Sequence, residues 1–139
     1  MLTTRQKALV QDTWRVVQPI SAQAAELFYG RLFELDPTLR PLFTGDMKAQ
    51  GTKLMQTIAF AVASLDDLER LLPIVQDLGR RHVGYGVQKA HYATVGDALL
   101  WTLEQGLGKR STPEVLEAWG ETYATLSSVM LEAAEPKVA

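Results

Sequence analysis

The chain has 139 residues, 47% hydrophobic and 22% charged, with a formal net charge of −2. That length buries a core without covalent staples, and the composition is that of an ordinary globular chain, read as one domain over residues 1–139. A near-neutral balance without a basic stripe excludes nucleic acid as the main partner, and the absence of cysteine excludes disulfides, thiolate metal sites and any group attached through C-x-x-C-H.

The opening MLTTRQKALVQDTW has polar and charged residues where a signal peptide needs an apolar core. The longest apolar stretch, residues 58–65, is far too short to cross a bilayer. The expectation is a soluble cytoplasmic protein with no membrane partner. A first helix carries Val10, Trp14 and Val17 on one face, with Thr3 and Gln6 at capping-box spacing. Pro19 interrupts it, and a second helix follows with Ala25, Phe28, Leu32 and Phe33. Asp36-Pro37 reads as a cap followed by proline at the first helical position, so a short helix begins there, which Pro41 ends or bends.

Asp46 is the candidate cap of the next helix, whose stripe is Leu54, Ile58, Ala61 and Leu65. Asp66 and Glu69 have capping-box spacing ahead of a helix that Pro73 kinks or restarts and that Gly84 and Gly86 end. A long helix from Gln88 to Leu107 carries Val95, Leu99 and Leu103, with Gly106 and Gly108 as its breakers. Ser111 and Glu114 flank Pro113 as a further capping box, and the last helix shows Leu116, Trp119, Tyr123, Leu126 and Met130. The tail EPKVA is expected to fray. Period 3.6 runs throughout and no segment alternates, so the fold class is all-α with six or seven helices. Periodicity alone does not choose among compact helical folds.

Leu71, Val75, Leu78 and His82 recur at intervals of four, three and four, which puts the histidine at the end of an apolar helix face. A hidden imidazole is costly unless something binds its nitrogen. Read alone, this stretch favours a helix-end histidine whose tip reaches water or a carbonyl.

The ordered set Tyr29, Phe43, Gln50, Leu54, His82 and Tyr92 resembles the globin family, most closely the bacterial single-domain globins related to the haem domain of flavohaemoglobins and to neuroglobin-like proteins. The strings LFYGRLFELDPTLRPLF, VQDLGRRH and HYATVGDALL carry the resemblance, which extends from about Leu9 to Met130. It implies a globin fold around haem b with His82 as the axial metal ligand. Phe43 is then the residue against the macrocycle. Tyr29 and Gln50 line the opposite, distal face as donors to bound dioxygen, and Leu54, on the same helix face as Gln50, fills the pocket beside them. Gly51 next to Gln50, and Ala25 one turn before Tyr29, are small enough to let two helices cross closely and bring Tyr29 in. Leu78 belongs to the proximal wall. Lys53 and Arg81, with Lys48 and Arg80, are the cations available to the haem propionates. His91 either approaches a propionate or faces solvent; it is not chosen as ligand, because the family's ligand precedes the next helix's tyrosine by ten residues and Tyr92 fits His82.

Two departures matter. Many flavohaemoglobin-like globins add a late glutamate on the proximal side; aligned on Trp119 that position falls on Ala134, with Glu132 and Glu135 beside it but out of register. No G-x-G-x-x-G reductase segment is present, so redox turnover needs an external reductase. The resemblance therefore implies reversible binding of dioxygen, with nitric oxide and carbon monoxide as further ligands. The alternatives are a nitric oxide dioxygenase, that is, nitric oxide detoxification, and a globin-fold signalling or interaction module.

Overall fold

The protein is described by a computed structural model covering residues 2–43, 45–84 and 86–134. Six α-helices form its framework, and no strand occurs among the described residues. They are α1 (Thr4–Val17), α2 (Ser21–Leu35), α3 (Met47–Ala63), α4 (Leu68–Gly84), α5 (Lys89–Leu107) and α6 (Pro113–Ala134). Single 3-10 segments lie at Gln18–Ile20, Pro37–Leu42 and Gly108–Arg110.

The helix starts follow local chemistry. The Thr3/Gln6 capping box opens α1, with Gln6 N–H donating to Thr3 Oγ1 at 3.0 Å and Thr3 N–H to Gln6 Oε1 at 3.0 Å. Asp36 caps the Pro37 segment through Thr38 N–H, and Asp46 caps α3 through Lys48 N–H. Two caps differ from expectation by one residue. Asp67, not Asp66, accepts from Arg70 N–H at the start of α4, and the Asp66 carboxylate instead accepts from Gln11 Nε2. Thr112, not Ser111, accepts from Val115 N–H ahead of α6, and Glu114 pairs with Arg5. In both cases the neighbouring side chain of like chemistry had the better reach. Pro73 sits inside α4 without dividing it, and Gly106 stays within α5. The helix ends at Gly108, whose φ of +56° is costly for a residue with a Cβ.

The main core joins Val10, Trp14 and Val17 of α1 to Met55 and Val62 of α3, Leu103 and Leu107 of α5, and Trp119 of α6. Trp119 Nε1 donates to Thr13 Oγ1 at 2.9 Å, and that hydroxyl donates to Leu9 O at 2.6 Å, so the Trp119 indole and the Thr13 hydroxyl are both satisfied where α1 meets α6. α4 lies along α6 and α2 along α5, while α3 is packed on α2 and α1. Among the described residues α3 and α4 are not a closely packed pair. Leu71 and Val75 of α4 are buried, whereas Leu78 and His82, further along the same face, are only half-buried. The apolar stripe of α4 thus begins in the core and is less covered towards the end of the helix.

Candidate functional site

His82 sits on the last turn of α4, and its Nδ1 lies 2.6 Å from the carbonyl oxygen of Leu78, one turn back. A carbonyl only accepts, so Nδ1 donates and carries the ring proton; the neutral imidazole then has its lone pair on Nε2. This bond also fixes the ring's rotation, as for histidines that serve as metal ligands. Beyond the helix, Val87 N–H returns to His82 O at 3.1 Å. Gly86 supports the turn with a φ of +85°, and a Cβ there would lie 3.4 Å from Leu42. The loop after His82 is thereby laid against the corner that carries Phe43.

Tyr29 lies in an aromatic cluster. Its ring meets Phe28 edge-on at 5.1 Å and Phe43 edge-on at 5.3 Å, and stacks on Phe33 at 6.0 Å. Phe33 and Phe43 meet edge-on at 5.5 Å. Arg40 clamps this corner: its guanidinium donates to Phe43 O at 2.9 Å and lies over the Phe33 ring at 5.6 Å. Sequence reasoning gave Phe33 only a packing role and Arg40 none; the i, i+4 spacing of Tyr29 and Phe33 was the available signal. Burial pushes the Tyr29 phenol up to about 12, so it keeps its proton at any ordinary pH and remains a donor.

The close crossing of α2 and α3 falls where the small residues stand. A Cβ on Gly51 would lie 2.9 Å from Ala25 Cβ and 3.9 Å from the Tyr29 ring. Gln50 and Leu54 share one face of α3 and are half-buried, and Leu54 packs against the cluster of Phe28, Tyr29 and Leu32. Lys53 is exposed.

On the other side, Tyr92 opens α5 and is half-buried, and burial raises its phenol. Tyr123 of α6 donates to Tyr92 O at 2.6 Å, and its ring occupies the place where a Cβ on Gly96 would lie 2.8 Å away. Burial, then Tyr92 and Asp97, push the Tyr123 phenol up as well. Neither Tyr123 nor Gly96 stood out in the sequence as part of this corner. His91 is half-buried and caps α5, its Nδ1 accepting from Gln88 N–H at 3.0 Å. Arg81 is exposed and paired with Asp77 at 2.7 Å, one turn back on its own helix. Glu132 is exposed and Ala134 half-buried; Glu135 lies outside the described residues.

The structure therefore brings Tyr29, Phe43 and Leu54 into one wall. His82 stands on the last turn of α4, Lys53 is on the surface, and Arg81 and His91 are engaged elsewhere. Leu42, Phe43, Met47, Leu54, Val95 and Leu99 are apolar yet only half-buried, an apolar lining left incompletely covered. Among the described residues no group of three His, Cys, Asp or Glu could hold a metal ion. An ion held at His82 must bring its other ligands with it, and a flat, mostly apolar tetrapyrrole does that while covering such a lining. The donor set and the walls fit haem. A separate hollow of about 500 Å³ between α2 and α5, lined by Leu27, Arg31 and Trp101 among others, contains none of these residues. Among the described residues no helix is long and apolar enough to cross a membrane.

Comparison with known proteins identifies a family. Residues 26–130 match the family described as Globin. The chain is 34% identical over 143 residues to the Neuroglobin of Danio rerio, covering 93% of this chain and 90% of that protein. It is 34% identical over 135 residues to the Flavohemoprotein of Bordetella parapertussis and 28% identical over 134 residues to that of Bacillus subtilis, covering 94% of this chain in each case. It spans only about a third of the length of those two flavohemoproteins, 33% and 34% respectively.

Proposed function

The chain belongs to the globin family, and from that membership and the geometry at His82 we propose that it holds haem b and binds dioxygen, with nitric oxide and carbon monoxide as further ligands. The observation that carries the reading is the His82 Nδ1–Leu78 O bond of 2.6 Å, which selects the tautomer an axial ligand needs. Held there, a haem would supply an iron able to bind a diatomic molecule.

The remaining roles belong to the chain. His82 anchors the group through Nε2 and is held in rotation by Leu78 O. Phe43, fixed by Arg40, packs against the ring system. Leu54 excludes water. Tyr29 presents a phenol proton towards the distal side, and Gln50 supplies a second donor. Such donors in a dry pocket stabilise a ligand that gathers negative charge far better than exposed ones do. Leu78 and Tyr92 line the proximal side. Lys53 and His91 are the polar groups for the propionate edge, and Arg81 joins them only by exchanging its bond to Asp77.

The test is a titration of the purified protein with haemin, followed by reduction and carbon monoxide. A stoichiometric Soret band that shifts with carbon monoxide supports the reading. A protein that takes up no haemin contradicts it.

A second reading, nitric oxide dioxygenase fed by an external reductase, draws on the flavohemoprotein relatives. It predicts repeated consumption of nitric oxide by the oxygenated protein when an electron donor is supplied. A carrier gives a single turnover and stays oxidised.

A further inference from the structure

The two histidines are held in opposite tautomers. His82 Nδ1 donates to Leu78 O, so that bond survives protonation of its ring. His91 is the reverse. Its Nδ1 accepts from Gln88 N–H at 3.0 Å, and a ring nitrogen that accepts carries no proton, so this imidazole is neutral with its hydrogen on Nε2. His91 N–H returns to Gln88 O at 3.0 Å, and the two residues form the capping box of α5. Glutamate or glutamine ordinarily fills this position of the box, and a glutamine accepts at any pH. An imidazole accepts only while neutral. Protonation turns Nδ1 into a donor facing a donor. It also sets a positive charge on the first turn of a helix, where the dipole favours anions.

Among the described residues no carboxylate pairs with His91 to hold that charge. On α5 its neighbours in sequence are Lys89, a second cation, and Tyr92, while Asp97 stands further on and acts on Tyr123. α4 brings His82 and Arg81, the latter paired with Asp77, and α6 brings Tyr123, whose hydroxyl donates to Tyr92 O. Glu117, Glu121 and Glu132 of α6 are exposed. Glu34 of α2 is paired with Arg31, and Arg40 at the Phe43 corner is bound to Phe43 O. α1 meets α5 at its far end, around Gly106. The box also closes the turn that follows His82. Gly86 N–H donates to Val83 O and Val87 N–H to His82 O, both at 3.1 Å, and Gln88 N–H is the next amide in line.

We propose that His91 is an acid-sensitive latch on the turn between α4 and α5: neutral, it holds the turn closed, and protonated, it releases residues 86–91, the segment that joins His82 to α5.

Amide hydrogen exchange of the full-length chain, read residue by residue by NMR with intrinsic rates divided out, tests this at about pH 8 and about pH 5, the limits between which imidazoles change charge. Neither the bond nor the readout involves haem, so the result is separable from the function proposed above. Protection of the Gln88 amide should fall roughly fivefold on acidification, as for loss of a helix cap, with Val87 following and the amides in the middle of α1 unchanged. His91→Gln, which keeps an acceptor that does not titrate, should hold the same protection at both pH values, and His91→Ala should lack it at both. Protection of Gln88 that acid leaves unchanged in the unaltered protein overturns the proposal. An equal acid loss in the folded His91→Gln protein overturns it as well, by placing the titrating group elsewhere.

Discussion

A Cβ built on Gly79 would stand 2.2 Å from the carbonyl oxygen of Met130, so α4 and α6 touch backbone to backbone about one turn before His82. The obstacle is main chain, which cannot swing aside as a side chain can. Gly79→Ala should therefore destabilise the protein by about 1 kcal/mol, because overpacking of about 1–3 kcal/mol outweighs the ~1 kcal/mol that alanine gains over glycine in a helix. Denaturant unfolding of the haem-free protein measures it, and an unchanged midpoint would mean the two helices separate at little cost.

Tyr29→Phe keeps the ring that packs on Phe28, Phe33 and Phe43 and removes only the phenol. A hydrogen bond to a charged acceptor contributes about 1.5–3 kcal/mol, so dioxygen should leave the variant roughly ten- to a hundredfold faster. Stopped-flow displacement of dioxygen by carbon monoxide reads the rate directly. An unchanged rate would mean the phenol does not reach the ligand.

Thr13→Val tests the buried link between α1 and α6. The change is nearly isosteric but leaves Trp119 Nε1 without its acceptor in a site that is 2% exposed at Trp119. The expected loss is about 1–3 kcal/mol, read as a lowered thermal midpoint with the helical circular dichroism otherwise unchanged.

Alkaline pH should weaken the fold in a predictable window. Burial raises the phenol of Tyr29 from 10.0 to about 12, and the phenols of Tyr92 and Tyr123 are raised as well. The unfolded chain releases these protons first, so it binds fewer than the native state above pH 10. Stability is then whole below about pH 10 and falls as pH climbs towards 12. Unfolding midpoints across pH 8–12 should show that decline, and late ultraviolet titration of tyrosine should accompany it.

Much of this arrangement was legible because the signals are local. The Thr3/Gln6 box, the Asp36-Pro37 start and the Asp46 cap are decided by side chains a few residues from the backbone they serve. The crossing at Gly51 and Ala25 was legible too, since two small residues at the right register leave few other packings. Choices between adjacent equivalents, Asp66 or Asp67 and Ser111 or Thr112, depend on reach and on distant partners such as Gln11, which no local pattern encodes. For the same reason Gly79 and Gly96 passed unremarked. Their purpose is to admit Met130 and Tyr123, residues 51 and 27 positions away. Arg81 illustrates the limit for surface cations: sequence offers a charge, and the nearest carboxylate, Asp77, takes it.

The central claim is that His82 Nε2 is the axial ligand of a bound haem. The most direct measurement is the resonance Raman spectrum of the ferrous, ligand-free protein, compared with His82→Gly before and after addition of free imidazole. The account predicts an iron–histidine stretching band in the unaltered protein, its loss in His82→Gly, and its return in altered form with imidazole. The same band persisting in His82→Gly would place the ligand at another residue and contradict the account.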